Sequence, residues 1–183
     1  YLTYLVDMDQ SEILPGVMSV LEFLKVNQQP IALGSASKNA RPILEKTGIL
    51  SYFDVIVDGN DVSNAKPDPE VFLQAAQKLG ISNENSIVFE DSVAGIQAAN
   101  IATMTSIGIG DAAILNEAKY NFKDFTFIDE AFLKFEGFNF FNLEDYGKNI
   151  QKTVTKNTGI PISVGFATTK ALAKVANKIA KKF

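Results

Sequence analysis

From Leu14 to Asp129 the chain alternates short β-branched runs with longer amphipathic stretches, and this alternation restricts the fold more than any other feature of the sequence. Candidate strands cover residues 31–35, 55–58, 86–89, 105–109 and 125–128, with helical periodicity over 16–27, 38–48, 69–79, 92–100 and 112–119. A strand followed by a helix and another strand joins parallel neighbours, because the crossover must return the chain to the same end of the sheet. The expected fold is therefore α/β, a Rossmann-like parallel sheet covered by helices on both faces. Pro15-Gly16, Lys66-Pro67-Asp68-Pro69 and Gly108-Ile109-Gly110 read as turns between the repeats. In such sheets ligands bind beyond the carboxyl ends of the strands, so polar residues that directly follow an apolar run carry most of the functional information.

What the 183 residues omit narrows the chemistry. There is no Cys and no His, which excludes disulfides, thiolate nucleophiles, Cys/His zinc sites and a Ser-His-Asp triad. Carboxylates, hydroxyls and lysines remain, with magnesium as the fitting cofactor because it prefers oxygen ligands. No apolar run approaches the roughly 20 residues that cross a bilayer, and no basic-then-apolar leader opens the sequence, so no membrane partner and a cytoplasmic location are expected. A start at Tyr1 and an end at Phe183 inside a lysine-rich helical pattern suggest a fragment.

Charge divides the chain. Residues 1–134 hold 9 Lys/Arg and 18 Asp/Glu, a net of −9, whereas residues 135–183 hold 8 Lys and 3 acids, a net of +5. The second piece would be drawn to polyanions, or its lysines would simply form a solvated helix face. Its pattern is a β-α-β-α fragment: residues 136–141 a linker or strand, 142–158 a helix capped by Asn142, 160–167 a strand and 168–183 a basic helix. A piece this small rarely supplies a sufficient core alone.

Three polar clusters follow candidate strands or precede helices in the first piece. Gly34-Ser35-Ala36-Ser37-Lys38-Asn39 offers a hydroxyl and backbone N–H groups to a phosphate, or its serines cap a helix. Lys66, set between Ala65 and Pro67, is either a fixed charge for a phosphoryl group or carboxylate, or an exposed turn lysine. Glu90-Asp91-Ser92, followed by Gly95, brings two acids together, which suits a cation; otherwise Asp91 is a helix cap.

Taken in order, a hydroxyl, a lysine and an acid pair resemble the second, third and fourth motifs of the haloacid dehalogenase-like phosphotransferases, over residues 1 to about 134. More narrowly, Leu14-Pro15-Gly16, the segment Ala32 to Asn39, Lys66-Pro67-Asp68-Pro69 and Glu90-Asp91-Ser92-Val93-Ala94-Gly95-Ile96 look like the β-phosphoglucomutases. That resemblance implies magnesium-dependent interconversion of β-glucose 1-phosphate and glucose 6-phosphate through an aspartyl-phosphate. It also implies roles: Ser35 and Lys66 on the transferring phosphoryl group, a backbone N–H of Ala36 beside them, Lys38 and Asn39 on a second phosphate, and Glu90 and Asp91 in the metal site.

The family's first motif, a D-x-D on the first strand, supplies the nucleophile and the general acid/base, and a helical cap of several dozen residues normally follows it. Asp7-Met8-Asp9 after Tyr4-Leu5-Val6 has the right letters, but only five residues separate Asp9 from Pro15. Residues 1–14 are accordingly expected to be the end of a cap helix and its return linker, leaving the sheet incomplete and the chain without turnover. A capless phosphatase that uses Asp7 and Asp9 is the alternative, and a catalytically dead interaction protein another.

Asp129-Glu130 forms a fourth cluster, a second metal pair or an exposed turn. With residues 158–167 and 169–177 downstream, it resembles the palm of Y-family lesion-bypass DNA polymerases over about 128–183. The implied roles are metal binding by Asp129 and Glu130, a triphosphate contact at Lys181, and positive potential from Lys170 and Lys174 that favours DNA. That family's other metal Asp has no counterpart in this sequence. The two resemblances share residues 128–134, and the expectation is a chimera of two incomplete pieces, 1–134 and 135–183.

Overall fold

The computed structural model describes residues 8–128. The chain divides into two units, Tyr1–Leu133 and Lys134–Phe183, and every described residue belongs to the first. Its elements run α1 (Val17–Val26), β1 (Ala32–Gly34), α2 (Ala40–Lys46), β2 (Val55–Val57), α3 (Glu70–Leu79), β3 (Ile87–Glu90), α4 (Val93–Ile101), β4 (Thr105–Ile109) and β5 (Tyr120–Phe122), with short 3-10 turns between some of them. All strand pairs are parallel. They form two sheets, β1-β2 and β3-β4-β5, with no pairing across the two among the described residues.

The helices start and stop for local reasons. Gly16 precedes α1 at φ +87, and a Cβ there would lie 2.5–2.8 Å from backbone atoms of Phe125 and Thr126, so both conformation and space require glycine. Asp68 Oδ1 accepts from Glu70 N at 2.9 Å to open α3, and Gly80 closes it at φ +70. α3 buries Val71, Phe72, Ala75 and Ala76, a stripe at helical spacing, against β1 and β2. Ser92 caps α4 by accepting from Gly95 N at 3.1 Å, and α4 packs on β3 and β4. One hydrophobic cluster joins the two sheets, with Val57, Val71, Phe72 and Ala75 on one side and Val88, Ala98, Ala99 and Met104 on the other. Ser106, fully buried, is satisfied: it donates to Asn100 Oδ1 at 2.7 Å and accepts from Lys119 N at 3.2 Å.

The order of strands and helices from 17 to 109 follows the sequence expectation within a few residues, but its last part differs. Residues 125–127 form a 3-10 turn rather than a strand, because the Asp124 carboxylate accepts from Thr126 N at 2.9 Å and bends the backbone at once. The fifth strand is Tyr120–Phe122, paired with Ile107–Ile109. Residues 112–119 are turns rather than a helix, since Asp111 Oδ1 captures Ala113 N at 2.8 Å. Gly108 and Ile109 belong to β4, and the turn begins only at Gly110, at φ +143. The palm-like fragment expected over 135–183, including Lys170, Lys174 and Lys181, lies outside the described residues, as do Asp129, Glu130 and Asp7.

Candidate active site

The loop that leaves β1 is built from its own hydroxyls. Ser35 N donates to Val57 O at 2.9 Å, which extends the β1-β2 ladder by one bond. Ser35 Oγ then accepts from Ser37 N at 3.1 Å and Ser37 Oγ from Asn39 N at 3.2 Å. The serines thus cap amides inside the loop, while Asn39, the residue that caps α2, makes no side-chain hydrogen bond there. The neighbouring loop after β2 braces this one: Gly59 N donates to Ser37 O at 3.2 Å and Asn60 Nδ2 to Lys38 O at 3.1 Å. A Cβ on Gly59 would overlap the Ala36 carbonyl, so the close approach needs glycine.

Lys66 is delivered by a pinned loop. Glu70 Oε2 accepts from Ser63 N at 3.0 Å and Asn64 N at 2.8 Å, which ties the loop to the first turn of α3. The Lys66 ammonium lies 2.7 Å from Glu90 Oε2, 3.3 Å from Gly34 O and 4.5 Å from the centroid of the Phe72 ring. It therefore connects the carboxyl end of β1 to that of β3. The Lys66 and Glu90 side chains are 14% and 9% exposed, so their attraction is little screened.

Glu90 ends β3 and its two oxygens are divided. Oε2 takes Lys66, while Oε1 accepts from Ser92 Oγ at 2.8 Å, Ser92 N at 3.1 Å and Asp91 N at 3.2 Å. A Cβ on Gly95 would occupy the space of this carboxylate, so the glycine two residues into α4 is part of the site. Burial pushes the Glu90 carboxyl up, but the Lys66 hydrogen bond and charge, helped by Ser92, hold it below the ordinary value. Asp91 moves the other way, raised by burial and by the adjacent Glu90 carboxylate.

The structure thus gathers the Gly34–Ser35 strand end, Lys66, Glu90 and Asp91 at one corner. Ala36 and Lys38 are exposed on the loop beyond it and Asn39 is half-buried at the start of α2. Asp9 is elsewhere in the local structure: exposed, it caps a 3-10 turn by accepting from Ser11 N at 2.7 Å. The adjoining Gln10 side chain sits against Gly48, at the end of α2 remote from Ser35–Asn39. Three contributors escaped the sequence reading. Phe72 carries a ring to Lys66, Asn60 braces Lys38, and the buried Asp58 holds Asn60 through its N at 2.9 Å and Nδ2 at 3.0 Å. Asp58 and Asn60 close the apolar run of β2, a strand-end position that carried a signal; Phe72 reads as ordinary core.

A hard cation fits this corner. Magnesium commonly takes one or two carboxylates and fills the rest of its shell with water and substrate phosphate oxygens. Asp91, whose carboxyl resists ionisation beside Glu90, is the group a cation would most relieve. No group of three such ligands gathers among the described residues, which is compatible with a site completed by phosphate.

Two protein families match the chain. Residues 1–103 match the haloacid dehalogenase-like hydrolase family and residues 74–178 the impB/mucB/samB family, the two overlapping over 74–103. A phosphorylated carbohydrates phosphatase of Thermotoga maritima is 39% identical over 107 residues, 57% of this chain and 49% of that protein. A β-phosphoglucomutase of Bacillus subtilis is 39% identical over 99 residues, 54% of this chain and 44% of that protein. The crystal structure of a Clostridium difficile β-phosphoglucomutase superposes with a TM-score of 0.71 at 35% identity, covering 82% of this chain and 63% of that one. The chain spans about half the length of these curated relatives.

Proposed function

Because the chain belongs to the haloacid dehalogenase-like hydrolase family, with phosphatases and phosphomutases among its relatives, we propose that the corner formed by Ser35, Lys66, Glu90 and Asp91 binds the phosphoryl group of a small sugar phosphate together with magnesium, as in the β-phosphoglucomutases. The observation that carries this reading is the Lys66 ammonium, held 3.3 Å from Gly34 O and 2.7 Å from Glu90 Oε2, between two strand ends. Phosphoryl transfer asks a protein mainly for positioning and for neutralisation of developing charge. Lys66 supplies a fixed positive charge at the Gly34 carbonyl, Ser35 supplies the hydroxyl of the next residue, and the Ala36 N–H follows along the loop. Lys38 and Asn39, further out, suit a second phosphate on the same substrate. Asp91 and Glu90 would hold magnesium, which when bound adds positive charge to the phosphoryl oxygens.

These residues hold and neutralise; they do not attack. Asp9, the described member of the Asp7-Met8-Asp9 run, is engaged as an exposed cap. On the reading that neither Asp7 nor Asp9 serves as nucleophile, the chain is expected to bind β-glucose 1-phosphate with magnesium and leave it unchanged, which a binding titration paired with a product assay tests. Turnover that Asp7→Asn abolishes would instead favour the phosphatase reading through Asp7 and Asp9.

The match of residues 74–178 to the impB/mucB/samB family favours a second reading for the other end of the chain. Residues 135–183, with a net charge of +5, would then be a polymerase-derived segment that contacts DNA, with Asp129, Glu130 and Lys181 as its metal and triphosphate groups, joined as a chimera to the first piece. Retention on DNA that falls steeply with salt supports this; no retention at low salt removes it.

A further inference from the structure

The Lys66 ammonium meets two acceptors and one aromatic face, and the aromatic face is present only because a side chain is missing elsewhere. Phe72 is 7% exposed and lies on α3. Its ring reaches the end of β1 because Gly34 carries no Cβ: one built there would stand 3.0 and 3.1 Å from the ring carbons Cδ1 and Cε1. With the ring in that place, the ammonium is 4.5 Å from its centroid while it bonds Gly34 O and Glu90 Oε2. A lysine side chain has four rotatable bonds and a compact charge, so two hydrogen bonds alone leave it able to swing. A ring face beneath the charge attracts it electrostatically and closes off that direction.

We infer that Phe72 is a positioning residue for Lys66: the ring, admitted by Gly34, holds the ammonium between the two strand ends so that one N–H remains for an anionic ligand. This rests on the phosphoryl-binding reading above, and the tests are chosen to separate the two. The full chain is used, with inorganic phosphate and magnesium as the probe and the Lys66 ε-methylene resonance as the structural readout. In the native chain that resonance is shifted upfield by the ring current. Phe72→Leu, which keeps an apolar core residue but no ring, returns it to the free-lysine position and weakens phosphate about tenfold; Phe72→Tyr retains both properties. Leu44→Ala costs packing of a buried residue on α2, outside the cluster that holds Phe72, and leaves both unchanged. An unshifted resonance in the native chain would overturn the inference. So would phosphate affinity that survives Phe72→Leu while requiring Lys66, or a Leu44→Ala variant that reproduces the Phe72→Leu loss. If Lys66→Met binds phosphate as well as the native chain does, the phosphoryl reading fails, and the resonance alone decides the role of Phe72.

Discussion

Replacing Lys66 by Met interrogates the electrostatics of the corner through pH, with no need for turnover. In the native chain the Glu90 carboxylate is 9% exposed and 2.7 Å from the ammonium. Burial favours its neutral form, and the Lys66 hydrogen bond and charge reverse that preference, so its pKa lies below the unfolded value of 4.5. A group depressed in this way contributes stability that is present in full above its unfolded pKa and lost as pH falls through the folded one. In Lys66→Met the burial remains and its main counterweight is gone, leaving Ser92 as the chief donor. The carboxyl pKa then rises above 4.5, and keeping it ionised costs stability that grows as pH rises above that value. Breaking one side of a buried pair costs about 3–5 kcal/mol, a large share of the roughly 5–15 kcal/mol that holds a domain together. The expected loss is of that size at pH 7, is smaller at about pH 5 because Glu90 of the variant takes up a proton there, and falls to about 1 kcal/mol only once pH drops below the depressed native pKa, the remainder being the lost Gly34 hydrogen bond and Phe72 contact. Urea unfolding followed by circular dichroism at pH 7 and about pH 5 measures both. An equal loss at the two pH values would refute the argument, since Glu90 would then owe its charge to something other than Lys66.

Gly95→Ala is expected to destabilise the chain by about 1–2 kcal/mol in urea unfolding and to weaken magnesium binding: a methyl group would displace the Glu90 carboxylate, and that strain exceeds the roughly 0.5–1 kcal/mol an alanine usually adds to helix stability. Asp91→Asn should raise the urea midpoint at pH 7, because the Asp91 pKa is raised above 3.8 by burial and the neighbouring Glu90, so its charge is a cost to the folded state. The gain should fade as pH falls towards 3.8, where the unfolded state also takes up the proton.

Period and punctuation made the body of the fold legible, because β1 to β4 and their helices obey spacing rules that burial enforces. The last strand was misplaced by local chemistry that outweighs propensity. Phe125-Thr126-Phe127-Ile128 has strand-like residues, yet Asp124 takes Thr126 N and turns the chain there, while Tyr120-Asn121-Phe122 pairs with β4. Similarly, Asp111 spends its carboxylate on Ala113 N and stops a helix that the apolar spacing of 112–119 suggested. At the site, each polar cluster stood beside a strand end or helix start, and so could be found. What spacing could not reveal was division of labour between adjacent acids: Glu90 faces Lys66 and Ser92, and Asp91 carries the proton affinity. Nor could it single out Phe72, whose position in the α3 stripe is that of any core residue.

The proposed site requires Asp91 and Glu90 to accept magnesium in company with a phosphoryl group beside Lys66. Calorimetric titration of the full chain with magnesium, with and without inorganic phosphate, is the decisive measurement. Coupled sites must tighten one another reciprocally, so phosphate should strengthen magnesium binding severalfold, and Asp91→Asn should abolish both the binding and the coupling. Magnesium affinity that ignores phosphate, or that persists undiminished in Asp91→Asn, would contradict the account.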